Sequence, residues 1–161
     1  MKRFLVISVF AALTLGFRPP PAAADITVFF GVSPTPATRT TQGVAIGLGL
    51  IVVGFEFEYG KTKQDDASGA PGLTTGMGNV LLQTPFAILG FQPYATTGAG
   101  LYRERLGTAQ HTGLGLNTGG GVKISLVGPV RLRVDYRVFK LGSGALHSPA
   151  HRIYAGLNLK F

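Results

Sequence analysis

His151-Arg152-Ile153-Tyr154-Ala155-Gly156-Leu157-Asn158-Leu159-Lys160-Phe161 are the last eleven residues of the sequence. Read two at a time, one set is Ile153, Ala155, Leu157, Leu159 and Phe161. The other is Arg152, Tyr154, Gly156, Asn158 and Lys160. Successive side chains of a strand point to opposite faces, so this segment reads as a strand between an apolar and a polar medium. About ten residues is also what a tilted strand needs to cross a bilayer. A spanning sheet leaves no backbone group unpaired in lipid, so it closes into a barrel whose last strand pairs with its first.

The other end of the sequence agrees with export. Met1-Lys2-Arg3 is a short positive start, Phe4 to Phe17 is uncharged and apolar, and Arg18-Pro19-Pro20-Pro21 breaks any helix. Ala22-Ala23-Ala24 then offers a small-residue cleavage site before Asp25. The expectation is a signal peptide over 1–24, export through the Sec pathway, and one barrel domain over 25–161. The apolar run is shorter than the ~20 residues of a spanning helix, which disfavours an N-terminal anchor.

Composition narrows the class. Lys2, Arg3 and Arg18 leave with the signal, so 12 of the 15 Lys and Arg remain against 7 Asp and Glu, a net of +5. These charges are scattered and lack a basic cluster with interleaved aromatics, so nucleic acid is not expected as a partner. There is no cysteine, hence no disulfide framework and no lipidated cysteine after the signal. Charged residues make up 14% and glycines number 24, whereas soluble domains are about a quarter charged.

Working backwards from the C-terminal strand, alternation predicts seven more. They run from Ile26 to Val32, Gln42 to Leu50, Val53 to Lys61, Leu73 to Gln83, Tyr94 to Arg103, Thr112 to Leu126 and Val130 to Leu141. The fourth has no clear register. Segments 33–41, 62–72, 104–111 and 142–150 are polar and read as the longer loops, with a possible external ligand. The intervening connections are short or apolar. Alternating long loops and short turns, with an even strand count, fit an eight-stranded antiparallel up-and-down barrel with both termini on the short-turn side. About 17 residues per strand and connection rules out a sixteen-stranded porin.

Pro93-Tyr94 followed by Gly98-Ala99-Gly100-Leu101 resembles the OmpA-like/OmpX-like small outer-membrane barrels. So do Gly119-Gly120-Gly121-Val122-Lys123, the strand Val130 to Leu141, and the aromatic-ended last strand. The resemblance implies a Gram-negative-type outer membrane, contact with its lipid and lipopolysaccharide, and insertion by the barrel-assembly machinery with Phe161 as its signal. Some members carry a further periplasmic domain, for which no room is expected here because the sequence ends with the barrel.

Placing the apolar parity toward lipid puts Glu56, Glu58, Arg131, Arg133, Asp135, Arg137, Arg152 and Lys160 in the lumen. An eight-stranded barrel is just wide enough for side chains to fill it, and buried charges persist when paired. The expectation is an ion-pair network of the two glutamates with the arginines, a structural plug in preference to an ion path. The aromatics Phe29, Phe30, Phe55, Phe57, Tyr59, Tyr94, Tyr136, Tyr154 and Phe161 read as lipid-facing surface and interfacial girdles. No cofactor is expected. His147 and His151 are four apart, but Gly142, Gly144 and Pro149 argue for a loop with no metal site. His147-Ser148 suggests a lipid-modifying hydrolase, yet no carboxylate follows to orient the base. The leading role is structural or adhesive. A narrow pore, a lipid-modifying enzyme and a soluble lipocalin-like barrel are the alternatives.

Overall fold

The computed structural model describes residues 23–161; the signal peptide expected over 1–24 lies outside them as far as residue 22. Eight strands form one closed antiparallel barrel in chain order. They are β1 (Ala23–Ser33), β2 (Arg39–Gly49), β3 (Val53–Thr62), β4 (Gly72–Gln83), β5 (Phe91–Leu106), β6 (Ala109–Val127), β7 (Val130–Leu141) and β8 (Ala150–Lys160). The seam pairs β1 with β8 from Asp25–Lys160 to Val32–Ile153. Ala24 and Phe161 extend it, each amide donating to the other's carbonyl at 2.9 Å. A cut after Ala24 falls just inside the start of β1.

Every strand turns apolar side chains outward. Examples are Val28, Ile46, Phe57, Leu82, Leu101, Leu116, Val134 and Leu157, one from each strand in order, and all are exposed. In a water-soluble barrel these positions would be inside, so the lipocalin-like arrangement is excluded by side-chain direction. The barrel has two unlike ends. The termini and the connections 50–52, 84–90 and 128–129 form the turn end. Segments 34–38, 63–71 and 142–149 form the loop end.

β1 and β2 begin three residues before the positions that alternation gives, at Ala23 and Arg39, and two further boundaries differ for a physical reason. Residues 104–111 are not a loop. Paired β5 and β6 continue through Arg103–Thr112, Glu104–His111, Arg105–Gln110 and Leu106–Ala109 to a turn at Gly107-Thr108. A polar hairpin that has left the apolar belt still alternates, but both of its faces are polar, so hydropathy cannot find it. β5 also begins earlier, at Phe91. Pro93 is tolerated because its carbonyl, and hence its donor-less nitrogen, faces β4 beyond that strand's end at Gln83.

β4 is the strand without a legible register, and its inward residues explain why. Leu73, Met77 and Leu81 alternate with Thr75 and Asn79 on the inside, while Thr74, Gly76 and Gly78 stand outside. Part of the lumen it faces is apolar: Leu73, Met77, Tyr102, Phe139, Leu141 and Ala150 pack together toward the loop end. Polarity and direction are therefore uncoupled along this strand.

Candidate functional site

The bore holds a charged stack in three tiers beneath that apolar cluster. Nearest the turn end, Asp25 on β1 accepts from Lys123 of β6 at 2.7 Å and from Arg131 of β7 at 3.1 Å. Arg131 also donates to Asn158 at 2.7 Å and to Gln92 at 3.1 Å.

The middle tier crosses the barrel. Arg133 bridges Glu56 of β3 and, at 3.1 Å, Asp135. Arg137 reaches the same two acids at 2.8 and 3.0 Å. The Tyr94 hydroxyl donates to Asp135 and accepts from Arg133 Nε at 2.7 Å. Asn117 donates to Asn79 at 2.8 Å, and Asn79 donates to Glu56 at 3.4 Å.

In the third tier Glu58 receives Arg152 at 2.9 Å, Arg137 at 3.1 Å and the Tyr154 hydroxyl at 3.1 Å. Arg152 donates to Thr75 at 3.0 Å and lies over the Phe139 ring at 4.4 Å, where charge gives way to the apolar cluster.

Strand register is what brings these groups together. β3 stands opposite β7 and β8 in an eight-strand ring, so inward side chains of length Glu plus Arg meet near the axis. Inward glycines on the intervening strands keep that space open. At Gly119, paired with Arg137, an added Cβ would lie 2.1 Å from the Tyr136 carbonyl and 2.9 Å from Arg137 Cα. Arg133, Arg137 and Glu58 are fully buried. Desolvating each such ion costs several kcal/mol, and only multiple well-placed partners offset it. Planar guanidinium forks supply this multiplicity in a way that a point-charge lysine cannot.

Glu56, Glu58, Arg133, Asp135, Arg137 and Arg152 thus lie inside as one directly contacting network, and Arg131, also inside, reaches it through Asn158 and Thr27. Lys160 does not join them: it has the inward parity but sits at the turn-end rim, exposed, where the strand has left the bore. Three aromatics assigned to the outer girdle are also inside. Phe29, Tyr94 and Tyr154 are buried, Phe29 stacks on Tyr154 at 4.1 Å, and Arg133 lies over Tyr94 at 4.9 Å. Ring faces attract cations and a tyrosine hydroxyl completes the hydrogen bonding, so an aromatic suits a charged bore as well as an interface.

Pattern reading gave no role to Asp25, Arg39 or Glu104. The signal for Asp25 was the inward parity it shares with Thr27 and Phe29. Arg39 and Glu104 sit at the loop-end mouth, both buried. Glu104 accepts the amides of Leu146 at 2.6 Å and His147 at 3.2 Å. Arg39 donates to the carbonyls of Thr35, Ala37 and Pro71. His151 donates its amide to Thr35 at 2.9 Å, and Ser33 donates to the His151 carbonyl at 2.7 Å. Three loops are thereby tied across the mouth.

Around Asp25, Glu56 and Lys123 the open space is about 10 Å³, room for roughly one water. Among the described residues no group of His, Asp and Glu is placed to hold a metal. Ser148 hydrogen-bonds the backbone of Leu141, and His151 pairs with Tyr136 on the outer face at 2.6 Å.

No protein-family model matches the chain, and comparison with curated proteins gives no match. Solved structures do. The N-terminal β-barrel domain of Pseudomonas aeruginosa OprF superposes with a TM-score of 0.65 at 16% identity, over 88% of this chain and 100% of that one. Neisserial surface protein A gives 0.65 at 20% identity, over 87% and 96%. The outer membrane enzyme PagL gives 0.52 at 12% identity, over 84% and 98%. The fold is that of the small eight-stranded outer-membrane barrels.

Proposed function

We propose that this chain is a non-conducting wall protein of the outer membrane. It is exported with a signal peptide removed near residue 24 and inserted with its loop end toward the exterior, and it acts through its outer surface and loops in a structural or adhesive role. One observation carries this reading: Glu56 and Glu58 on one side of the bore are tied to Arg133, Arg137 and Arg152 on the other. A conduction path needs ion sites that bind weakly enough to release. Here each charge already has protein partners, and an entering ion would have to break a buried pair.

Neither catalysis nor a cofactor is part of this reading. The Ser148 hydroxyl is engaged with the backbone of Leu141, the neighbouring His147 is tied by its amide to Glu104, and PagL shares the fold at an identity that carries no chemistry across. The loops 34–38, 63–71 and 142–149 are the surface offered to an external partner. The terminal Phe161, 70% exposed on the lipid side, is the residue through which the assembly machinery would read the last strand.

The test is single-channel recording on the refolded barrel in planar bilayers. The expected record has no unitary steps at neutral pH. A triple variant E56A/R133A/R137A that retains its heat-dependent gel mobility should conduct. Regular unitary steps from the unaltered protein would establish the pore instead.

A further inference from the structure

The charges of the barrel are divided unequally between its two sides. All five strand acids, Asp25, Glu56, Glu58, Glu104 and Asp135, point into the bore, where they meet six cations. The remaining acids, Asp65 and Asp66, lie in the 63–71 loop and are engaged there. Asp65 accepts the Ser68 hydroxyl at 2.7 Å and the Ala67 amide at 3.1 Å, and Asp66 accepts from Gln64. The Ser68 bond holds the Asp65 carboxyl below its ordinary range, so it stays ionised within its own loop.

The exposed cations, Lys61, Lys63, Arg103, Arg105 and Lys140 on the outside and Lys160 at the turn-end rim, therefore have no strand acid among them. Five of these six stand at the loop end, and Lys160 alone is at the turn end. Such a field would attract a polyanion specifically at one leaflet.

Four of the five gather in one place. Register sets Lys61 beside Thr74 and Thr74 beside Arg103. One step further out, Gly72 pairs with Arg105 and Arg105 with Gln110. Lys61, Lys63, Arg103 and Arg105 line a cleft of about 500 Å³ with Gln64 and Gln110. None of the four makes an ion pair among the described residues. Arg103 Nε donates to Thr112 at 3.3 Å and Arg105 Nε to the Gly107 carbonyl at 3.4 Å, so each guanidinium is oriented by its inner nitrogen while its outer edge faces the cleft.

The row immediately below, Tyr59, Gly76 and Leu101, already belongs to the apolar wall. Beneath it the wall is recessed where Gly78, Thr97 and Ala99 lie between Phe57 and Leu116. A ligand seated here would have its anionic group among the cations and its apolar part on the recess.

We propose that this cleft binds the phosphate groups of an acylated, phosphorylated saccharide lipid in the leaflet at the loop end. The inference rests on the outward placement of the loop end under the proposed function. Arginine forks and lysine ammonium groups are the chemistry that holds phosphate, and a phosphate carried on acyl chains reaches this height on the wall whereas a soluble anion gains nothing from the recess.

The test uses the full chain, refolded in detergent micelles doped with diphosphorylated lipid A or with lipid A stripped of its phosphates. The expected result is saturable binding of the phosphorylated lipid and none of the stripped one. In K61Q/R103Q, affinity should fall on the order of tenfold or more, since two charge-assisted contacts are lost. K140Q/K160Q removes the same charge elsewhere and should bind as the unaltered protein does. Equal binding of both lipids, unchanged binding in K61Q/R103Q, or an equal loss in both double variants would overturn the site. Competition by inorganic phosphate as effective as lipid A would overturn the lipid as its source. Retained heat-dependent mobility confirms that each variant is folded. The conductance record decides the wall-protein reading separately, so the two can fail independently.

Discussion

A single charge removed from the bore should cost more than a charge pair. Glu58→Gln leaves Arg137 and Arg152 each short of a carboxylate in a dry interior, and Arg152→Met leaves Glu58 with one guanidinium fewer. Either change should destabilise the barrel by about 3 kcal/mol, the usual scale for one partner lost from a buried pair. The double variant should lie below the sum of the two by about 1–2 kcal/mol, because it removes a charge of each sign. Urea unfolding of the refolded barrel measures all three, and strict additivity would mean that the two residues do not interact. Loop-end tethering has its own residue-scale test. Glu104→Ala frees the amides of Leu146 and His147 and leaves the barrel wall intact. Hydrogen exchange at those two amides should rise on the order of tenfold, with β-strand amides unchanged. The network residues on β3, β7 and β8 were legible in the sequence because their charges fall on the polar parity of strongly alternating strands. Lys160 shares that parity and stays out, because parity gives a side chain's direction and not its height along the barrel axis. Phe29, Tyr94 and Tyr154 were misassigned because an aromatic suits both the lipid interface and a guanidinium stack.

Elements differ in how tightly their neighbours approach. Gly119→Ala places a methyl against the backbone of β7, 2.1 Å from the Tyr136 carbonyl. Gly78→Ala adds the same methyl on the lipid side, where its nearest neighbour, the Ala99 carbonyl, is 3.8 Å away. Refolding yield, read as the heat-sensitive gel band, should collapse for the first and hold for the second. The β4–β5 connection stores a different strain. Ile88 and Phe91 exchange both backbone hydrogen bonds around Leu89 and Gly90, whose φ values are 52° and 83°. A tight turn of this form favours Asn or Gly at both central positions. Leu89 is 93% exposed, so its side chain gains little burial in return. Leu89→Asn should stabilise the barrel by about 1 kcal/mol, and a lower urea midpoint would show that Leu89 contributes through contacts with lipid. Strands with an apolar outside and a polar inside were found by alternation within a few residues. β4 was not, because its inner face passes through the apolar cluster. The β5–β6 hairpin tip was not, because above the membrane belt both faces of the ribbon are polar, with Glu104 inside and Arg103 and Arg105 outside.

At the scale of the whole molecule, the closed order of strands makes the last one the closing piece, and this separates two roles for Phe161. Its backbone pairs with Ala24 through two hydrogen bonds, and its side chain projects into the surrounding lipid. Phe161→Ala leaves the backbone pairing of the β1–β8 seam unchanged and removes only the ring. If the ring served the finished barrel, the variant would be less stable after refolding into vesicles, by the transfer energy of an aromatic side chain, about 2 kcal/mol. That full loss is not expected, because Phe161 follows Lys160 at the turn-end rim, at the edge of the apolar belt, and its replacement leaves no cavity. If the ring is read during assembly, the refolded variant should match the unaltered barrel in heat resistance and urea midpoint. Its amount in outer membranes of expressing cells should nevertheless fall several-fold, with the shortfall found unfolded in the soluble fraction. Equal amounts in cells would remove the assembly role. A matched loss in both settings would make Phe161 a structural residue of the β1–β8 seam. The same pair of measurements bears on where the fold is specified. The ladder, the apolar belt and the charged bore all lie within the chain and should form in any bilayer. The rate at which the seam closes in a cell would depend on one exposed ring at the end of the last strand.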